Sequence, residues 1–247
     1  MKPFFSSLLL FLSFFHSCEK DSVTPNSPKN LKLIANYDLA VPEPSGLALD
    51  RNGNHLWTVS DRTNKVYKMT STGDVIKILS YVGSDLEGIT QNPFDAGLWI
   101  VEESARAIIH LDTTGNEIER FKITLTGQYN SGLEGITHST KNDHLYVINE
   151  KFPCLLIELD KTCHIQRQFE LNFVDDISGI CYDNQKDLLW VVSDQSELAV
   201  TCDLAGNGLE SYLLGLPQAE GIAVDAINNL IYIVSDSTEQ LYVFSCP

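Results

Sequence analysis

The chain has 247 residues, with 17 Lys and Arg against 33 Asp and Glu, for a formal charge of −16. Such an acid excess argues against nucleic acid and against anionic lipid as a binding surface, and is compatible with divalent cations or basic partners. The length would admit one or two domains, but repeated sequence occupies everything from about Leu31 onward and leaves no room for a second.

The first residues, Met1-Lys2-Pro3 and then an apolar run from Phe4 to Phe15, read as a signal peptide over residues 1–17. The run is too short and wrongly flanked to span a membrane. Cys18 directly follows Ser17, which resembles a bacterial lipoprotein signal. That resemblance implies a lipid on Cys18 and a place in the bacterial cell envelope, on the periplasmic or surface face of a membrane. The alternative is a plain signal peptide in which Cys18 is incidental. Glu19 to Asn30 has little to bury, so residues 18–30 are expected to be a flexible tether.

Past the tether the chain repeats one short stretch five times. The best copies are Leu86-Glu87-Gly88-Ile89-Thr90 and Leu133-Glu134-Gly135-Ile136-Thr137, and weaker ones are centred on Gly46, Gly179 and Gly221. The five glycines are 42, 47, 44 and 42 residues apart, the span of a four-stranded propeller blade. Fifteen residues after each glycine stands a carboxylate: Asp61, Glu103, Glu150, Asp194 and Asp236.

In each unit an apolar run follows the glycine, then a turn such as Asp50-Arg51-Asn52-Gly53, then a second run such as Leu98-Trp99-Ile100-Val101. The turn residues favour the left-handed conformations of tight hairpins. The second runs are β-branched and aromatic, too short for buried helices, and apolar on both faces, as strands between neighbouring sheets must be. A third strand follows the carboxylate, as at Val66-Tyr67-Lys68-Met69, and a fourth is predicted over 75–80, 117–123, 165–171 and 209–214. The fifth repeat reaches Pro247 without a fourth strand. The missing strand is expected in Leu31 to Leu39, where pairing into the last blade closes the ring and removes an exposed edge. The predicted fold is therefore all-β: a five-bladed β-propeller of four-stranded antiparallel blades over residues 31–247, closed by the N-terminal strand. A five-unit solenoid is the alternative, against which the lack of capping repeats argues.

If Cys18 carries lipid, five cysteines remain, an odd number that leaves at least one thiol free. Cys154 and Cys163 fall at opposite ends of one strand, too far apart to bridge, and no spacing suggests zinc. Most are expected to be small buried hydrophobes, with one bridge left open.

In a propeller the first strand of each blade lines the axis and the second runs back beside it. Glu87, Glu134 and Glu220, each just before its glycine, and the five carboxylates at the fixed offset should therefore crowd one rim of the central channel. Asp85, Asp175, Asp176 and Glu102 lie close in sequence to that rim. Two carboxylates about 8 Å apart at an effective dielectric near 20 repel by about 2 kcal/mol, so a ring of them calls for cations, hydrogen bonds or raised pKa values. Ca²⁺ tolerates irregular oxygen sites best. The candidate metal ligands are Glu87, Glu134, Glu220, Glu103, Glu150 and Asp236. The alternative is architectural: a carboxylate at each inner corner accepting N–H bonds from the next blade. Arg62, Arg106 and Lys151 follow the offset carboxylates in repeats one to three only, and with Asp61 and Asp194 they are the candidate contacts to a ligand, the three cations holding a phosphate or carboxylate. Of the six histidines only His138 has a place from which to face the channel, and a satisfied core or turn histidine is the competing reading. There is no Gly-x-Ser-x-Gly, His-Glu-x-x-His or phosphate loop.

The repeated Leu-Glu-Gly-Ile, the stretches Glu43-Pro44-Ser45-Gly46-Leu47 and Asp85-Leu86-Glu87-Gly88-Ile89, and strand ends such as Leu56-Trp57-Thr58-Val59-Ser60-Asp61 resemble the SdiA-regulated (YjiK-like) family of bacterial propellers over about Leu31 to Pro247. The resemblance implies a propeller outside the cytoplasmic membrane and no particular reaction. Looser similarity extends to NHL-type, gluconolactonase-like and phytase-like propellers, some of which bind axial Ca²⁺; no full catalytic set of theirs is matched. The leading reading is an envelope-anchored, monomeric propeller whose acidic, cation-binding face takes a small-molecule or protein ligand and meets the membrane only through its lipid anchor. Its rival is a Ca²⁺-dependent hydrolase of phosphate esters or lactones using the same rim.

Overall fold

The computed structural model describes residues 27–125 and 132–247; the predicted signal peptide and Cys18 lie outside the described residues. Two strands precede the first repeat, β1 (Lys29–Asn30) and β2 (Lys32–Asp38). Blade one holds β3 (Pro44–Leu49), β4 (His55–Ser60), β5 (Lys65–Thr70) and β6 (Val75–Val82). Blade two holds β7 (Leu86–Gln91), β8 (Leu98–Glu102), β9 (Ala107–Leu111) and β10 (Glu117–Lys122). Blade three holds β11 (Leu133–Ser139), β12 (His144–Asn149), β13 (Leu155–Leu159) and β14 (Ile165–Glu170). Blade four holds β15 (Gly179–Asp183), β16 (Leu188–Ser193), β17 (Leu198–Cys202) and β18 (Gly208–Leu213). Blade five holds β19 (Ala219–Asp225), β20 (Leu230–Ser235) and β21 (Gln240–Ser245), with β2 paired antiparallel on β21 as its outer strand.

The expected closure is thus observed: Lys32 to Asp38 pair with Ser245 to Gln240. One departure lies just before it. Lys29 and Asn30, read from sequence as tether, add a short parallel strand to the edge of β18. Polar composition predicts what a segment cannot bury, and an open sheet edge asks only for backbone groups.

Five apolar seams hold the ring, one between each pair of neighbouring blades. The second strands explain why. Leu98, Ile100 and Val101, or Leu189, Val191 and Val192, are fully buried on both faces because each blade is covered on both sides. Each such side chain contributes about 1.5–3 kcal/mol by leaving water.

At the axis the five glycines set the blade spacing. A methyl built on Gly46 would lie 2.6 Å from the carbonyl oxygen of Glu87, one on Gly88 would lie 2.7 Å from the Cα of Gly135, and one on Gly221 would lie 2.6 Å from the backbone N of Leu47. Inner strands this close leave no room for a Cβ. The gap among Leu47, Ile89, Ile136, Ile180 and Ile222 at that level has no space for a water molecule. The axis is consequently a blind cup.

The described cysteines are all free thiols: Cys154, Cys163, Cys181, Cys202 and Cys246. Burial pushes the Cys154 thiol up to about 11 and those of Cys163, Cys181 and Cys202 up to about 12, the behaviour of inert core thiols.

Candidate functional site: an acidic cup on the propeller axis

The first strands of blades two, three and five each carry a β-bulge at the cup. Leu86 opposes Glu102 and Gly88 opposes Val101, leaving Glu87 as the extra residue; Glu134 and Glu220 are displaced in the same way. A bulge re-aims a side chain and commonly marks a barrel or propeller rim. Here it turns each glutamate into the cup. Blade four pairs without a bulge from Gly179 onward, and Ser178 stands in the glutamate's place.

All eight carboxylates expected at the rim line the resulting cavity of about 360 Å³: Glu87, Glu134 and Glu220 from the bulges, and Asp61, Glu103, Glu150, Asp194 and Asp236 from the ends of the second strands. Glu43 and Asp176 also line it, which makes ten carboxylates against one ammonium, Lys151. Two groups are tight. One oxygen each from Glu103, Glu134 and Glu150 lie within 4.8 Å of one another, and so do oxygens from Asp61, Asp85 and Glu87.

Local structure satisfies some of these groups. The backbone N–H of Gly132 donates to Glu103 Oε1 at 3.0 Å, Lys151 pairs with Glu150, and Asp176 accepts from the Ser193 hydroxyl and, at 3.1 Å, from the Gln195 N–H. Ser45 Oγ lies 2.7 Å from the Glu87 carbonyl oxygen and 2.6 Å from Glu87 Oε2. One hydroxyl hydrogen cannot serve both acceptors, so a protonated Glu87 that donates to Ser45 Oγ satisfies the pair. In blade four Ser178 instead donates to the Ala219 carbonyl at 2.5 Å.

The electrostatics follow from this crowding. Burial, with Asp61, Glu220 and Glu103 nearby and only partly offset by Ser45, pushes the Glu87 carboxyl up to about 9. Burial and the charges of Asp194 and Asp236 push Glu220 up to about 8. Glu134 is more than nine-tenths buried and raised well above the usual carboxylate range by burial and by Glu87, Glu103 and Glu150. Glu103, Asp61 and Asp236 are raised as well, first by burial and then by neighbouring acids. Desolvation and like charge both favour the neutral form.

Arg62 and Arg106 do not line the cup. Arg62 is exposed and reaches Glu43 at 3.5 Å. Arg106 donates to the Leu125 carbonyl at 3.2 Å, and its backbone occupies the left-handed position of the turn after the second strand, as Asn64, Glu197 and Glu239 do in their blades. Lys151 alone of the three expected cations faces the cavity. Glu102 also turns away, accepting from Tyr81 and Arg120. His138 is buried between blades two and three, 2.8 Å from Asp143 and edge-on to Phe94, a core histidine away from the cup. Glu43 has a structural mark that sequence conceals: φ of 43°, with Asp85 and Gln218 left-handed at the equivalent step.

Among solved structures the chain is similar to the glutaminyl cyclase of Myxococcus xanthus, with a TM-score of 0.69 at 11% identity over 88% of this chain and 97% of that one. It is also similar to a streptogramin B lyase, with a TM-score of 0.52 at 18% identity, covering 86% of this chain and 72% of the other. A virginiamycin B lyase from Staphylococcus aureus matches with a TM-score of 0.52 at 17% identity, covering 84% and 71% of the two chains. At these identities the likeness is one of fold. The sequence itself matches the SdiA-regulated family over residues 34–245, almost the whole propeller. With its repeated Leu-Glu-Gly-Ile stretches now seen as the bulged rim of an axial cup, the chain belongs to the SdiA-regulated family.

Proposed function

We propose that this chain is an envelope-anchored binding propeller whose axial cup takes a cation, Ca²⁺ first, and with it a small-molecule or protein ligand. Glu134 carries the reading. It is almost fully buried, it faces the cup, and the largest charges acting on it are acids, with Lys151 as a cation nearby. Such a carboxyl is satisfied by a proton or by a cation. The donors are all oxygen and irregularly placed, which favours a hard ion and Ca²⁺ over Mg²⁺. Glu103, Glu134 and Glu150 would hold one ion, and Asp61, Asp85 and Glu87 offer a second place. Glu220, Asp236 and Asp194 would add negative charge around them. A cavity of about 360 Å³ exceeds what one ion fills and lies in the range of small-ligand pockets. Attachment through Cys18 rests on the pattern of Met1 to Cys18 and gives a monomer held at a membrane outside the cytoplasm. The hydrolase reading uses the same rim but retains only Lys151 of the three cations it needs for a substrate anion.

Thermal melting of the full chain after EDTA, with Ca²⁺ or Mg²⁺ added back, tests this. At 100 times its Kd a bound ion stabilises by about 2.7 kcal/mol, roughly 5–10 °C for a domain of this size. The Glu103→Gln/Glu134→Gln variant should lose that shift. No shift with either ion removes the metal from the proposal.

A further inference from the structure

The excess acid is not spread evenly. Ten carboxylates against Lys151 account for nine of the sixteen residues by which acids formally outnumber bases, so the outer surface is far closer to neutral than composition suggests. Where the N-terminal strands join the ring, that surface is apolar and basic. Leu33 and Ile34 on β2, Leu209 and Leu213 on β18, and Ile227 in the hairpin after β19 are between 44% and 81% exposed. Lys29, Lys32 and Lys186 stand among them, with Lys29 paired to Glu210 at 2.5 Å and Lys186 donating to Pro247 O at 2.9 Å. Strand register places most of these residues at the end of blades four and five away from the cup: Lys32 opposes Ser245, Ser245 opposes Leu230, and Leu209 follows Gly208, which opposes Cys202. Leu213, opposite Leu198, and Lys29 and Asn30 beside it lie at the other end of β18. The outer strands of blades two and three are blunted instead by charge, reading Glu-Ile-Glu-Arg-Phe-Lys and Ile-Gln-Arg-Gln-Phe-Glu.

We propose that this corner, the edge of blades four and five away from the cup, rests on a lipid bilayer. The inference rests on the anchor at Cys18. Lys29 lies eleven positions after Cys18, a stretch that spans at most about 40 Å by any path. The chain enters the outer strand of blade five at Lys32, at the end away from the cup, so a lipidated Cys18 keeps that corner within reach of the membrane. Half-exposed Leu and Ile beside lysines suit the boundary between headgroups and acyl chains, where ammoniums meet anionic lipid and their stems cover apolar surface. The contact is small, but tethering makes it intramolecular and supplies the effective concentration that a free patch would lack. In this pose the cup opens away from the bilayer.

The test uses the full chain, purified from membranes and reconstituted into vesicles of phosphatidylethanolamine and phosphatidylglycerol. Leu33, Ile227 or, as a control on blade two, Ile118 is replaced one at a time by the photo-crosslinker benzoylphenylalanine. Lipid adducts at positions 33 and 227 several-fold above those at 118 are the expected result. Equal yields at all three sites would mean no preferred face and overturn the pose. Adducts to a protein instead of lipid would make the corner a protein-docking surface, and overturn it too. Mass analysis beforehand separates the two readings: an unmodified Cys18 on a chain recovered from the soluble fraction removes the anchor, and the membrane contact with it.

Discussion

Replacing Glu87 by glutamine should make the metal-free propeller more stable at neutral pH. The carboxyls of Glu87 and Glu220 are pushed up to about 9 and about 8 in the fold, from an ordinary value of 4.5. An unfolded chain gives up both protons near pH 4.5, whereas the folded chain keeps them for several more units. Across that window the folded state binds more protons, so stability is fully present below about pH 4.5 and is lost as pH rises through 8 and 9. The loss is about 1.4 kcal/mol per pH unit for each group, or at most about 5 kcal/mol for both between pH 5 and 7. For a domain of this size that is a fall in Tm of roughly 10–20 °C. Glu87→Gln removes one of these groups, and its amide can donate to Ser45 Oγ as the protonated acid does, so with Glu134 raised as well it should cut the slope by about a third and exceed the wild type by about 3 kcal/mol at pH 7. The carboxyls held below their usual range, Asp50 and Glu158 among them, act below pH 4.5. His138, lowered by burial from its ordinary 6.5, works in the opposite sense, below about pH 6.5. Calorimetric melting in EDTA at pH 5, 6, 7 and 8 reads the slope. A wild-type Tm that stays flat or rises over that range would refute the reasoning.

Two further substitutions probe the ring and the cup. Gly88→Ala places a methyl 2.7 Å from the Gly135 Cα and 2.9 Å from the Ile136 N. Backbone cannot rotate aside, so a loss of about 1–3 kcal/mol or more is expected, and an unchanged denaturant midpoint would show that the blades can separate freely. Lys151→Met frees Glu150 from its ammonium. It should lower the Tm in EDTA yet tighten Ca²⁺ binding by about tenfold or more, about 1.4 kcal/mol, which calorimetric titration measures; weaker Ca²⁺ binding would place the ion away from Glu150.

The blade count, the ring closure and the eight rim carboxylates were legible because a repeat reports its own register. A residue at one offset in five units occupies one place in five blades, and topology alone then brings Glu87, Asp61 and their equivalents to the same rim. Arg62 and Arg106 were misread for a reason internal to that method. Offset locates a backbone position, and Arg106 does stand at the rim, but in a left-handed turn whose side chain leaves the cup for Leu125. Asp176 was placed near the rim from sequence, but Glu43 was not: the two share with Asp85 the position three before the glycine, a repeat that Gly132 and Gln218 interrupt. The bulge that aims the glutamates appears only in strand pairing, since Glu-Gly is also compatible with an unbroken strand.

Pairing β2 with β21 makes residues at the two ends of the chain, Lys32 and Ser245, immediate neighbours. For folding this is the longest loop the molecule must close, and contacts of such high sequence separation form late. β2 therefore waits unpaired until the last blade has been made. A ring assembled in this order works as a check on completeness: a chain interrupted anywhere before β21 keeps an open seam and an unpaired edge, which marks it for aggregation or proteolysis before an acidic cup can be assembled.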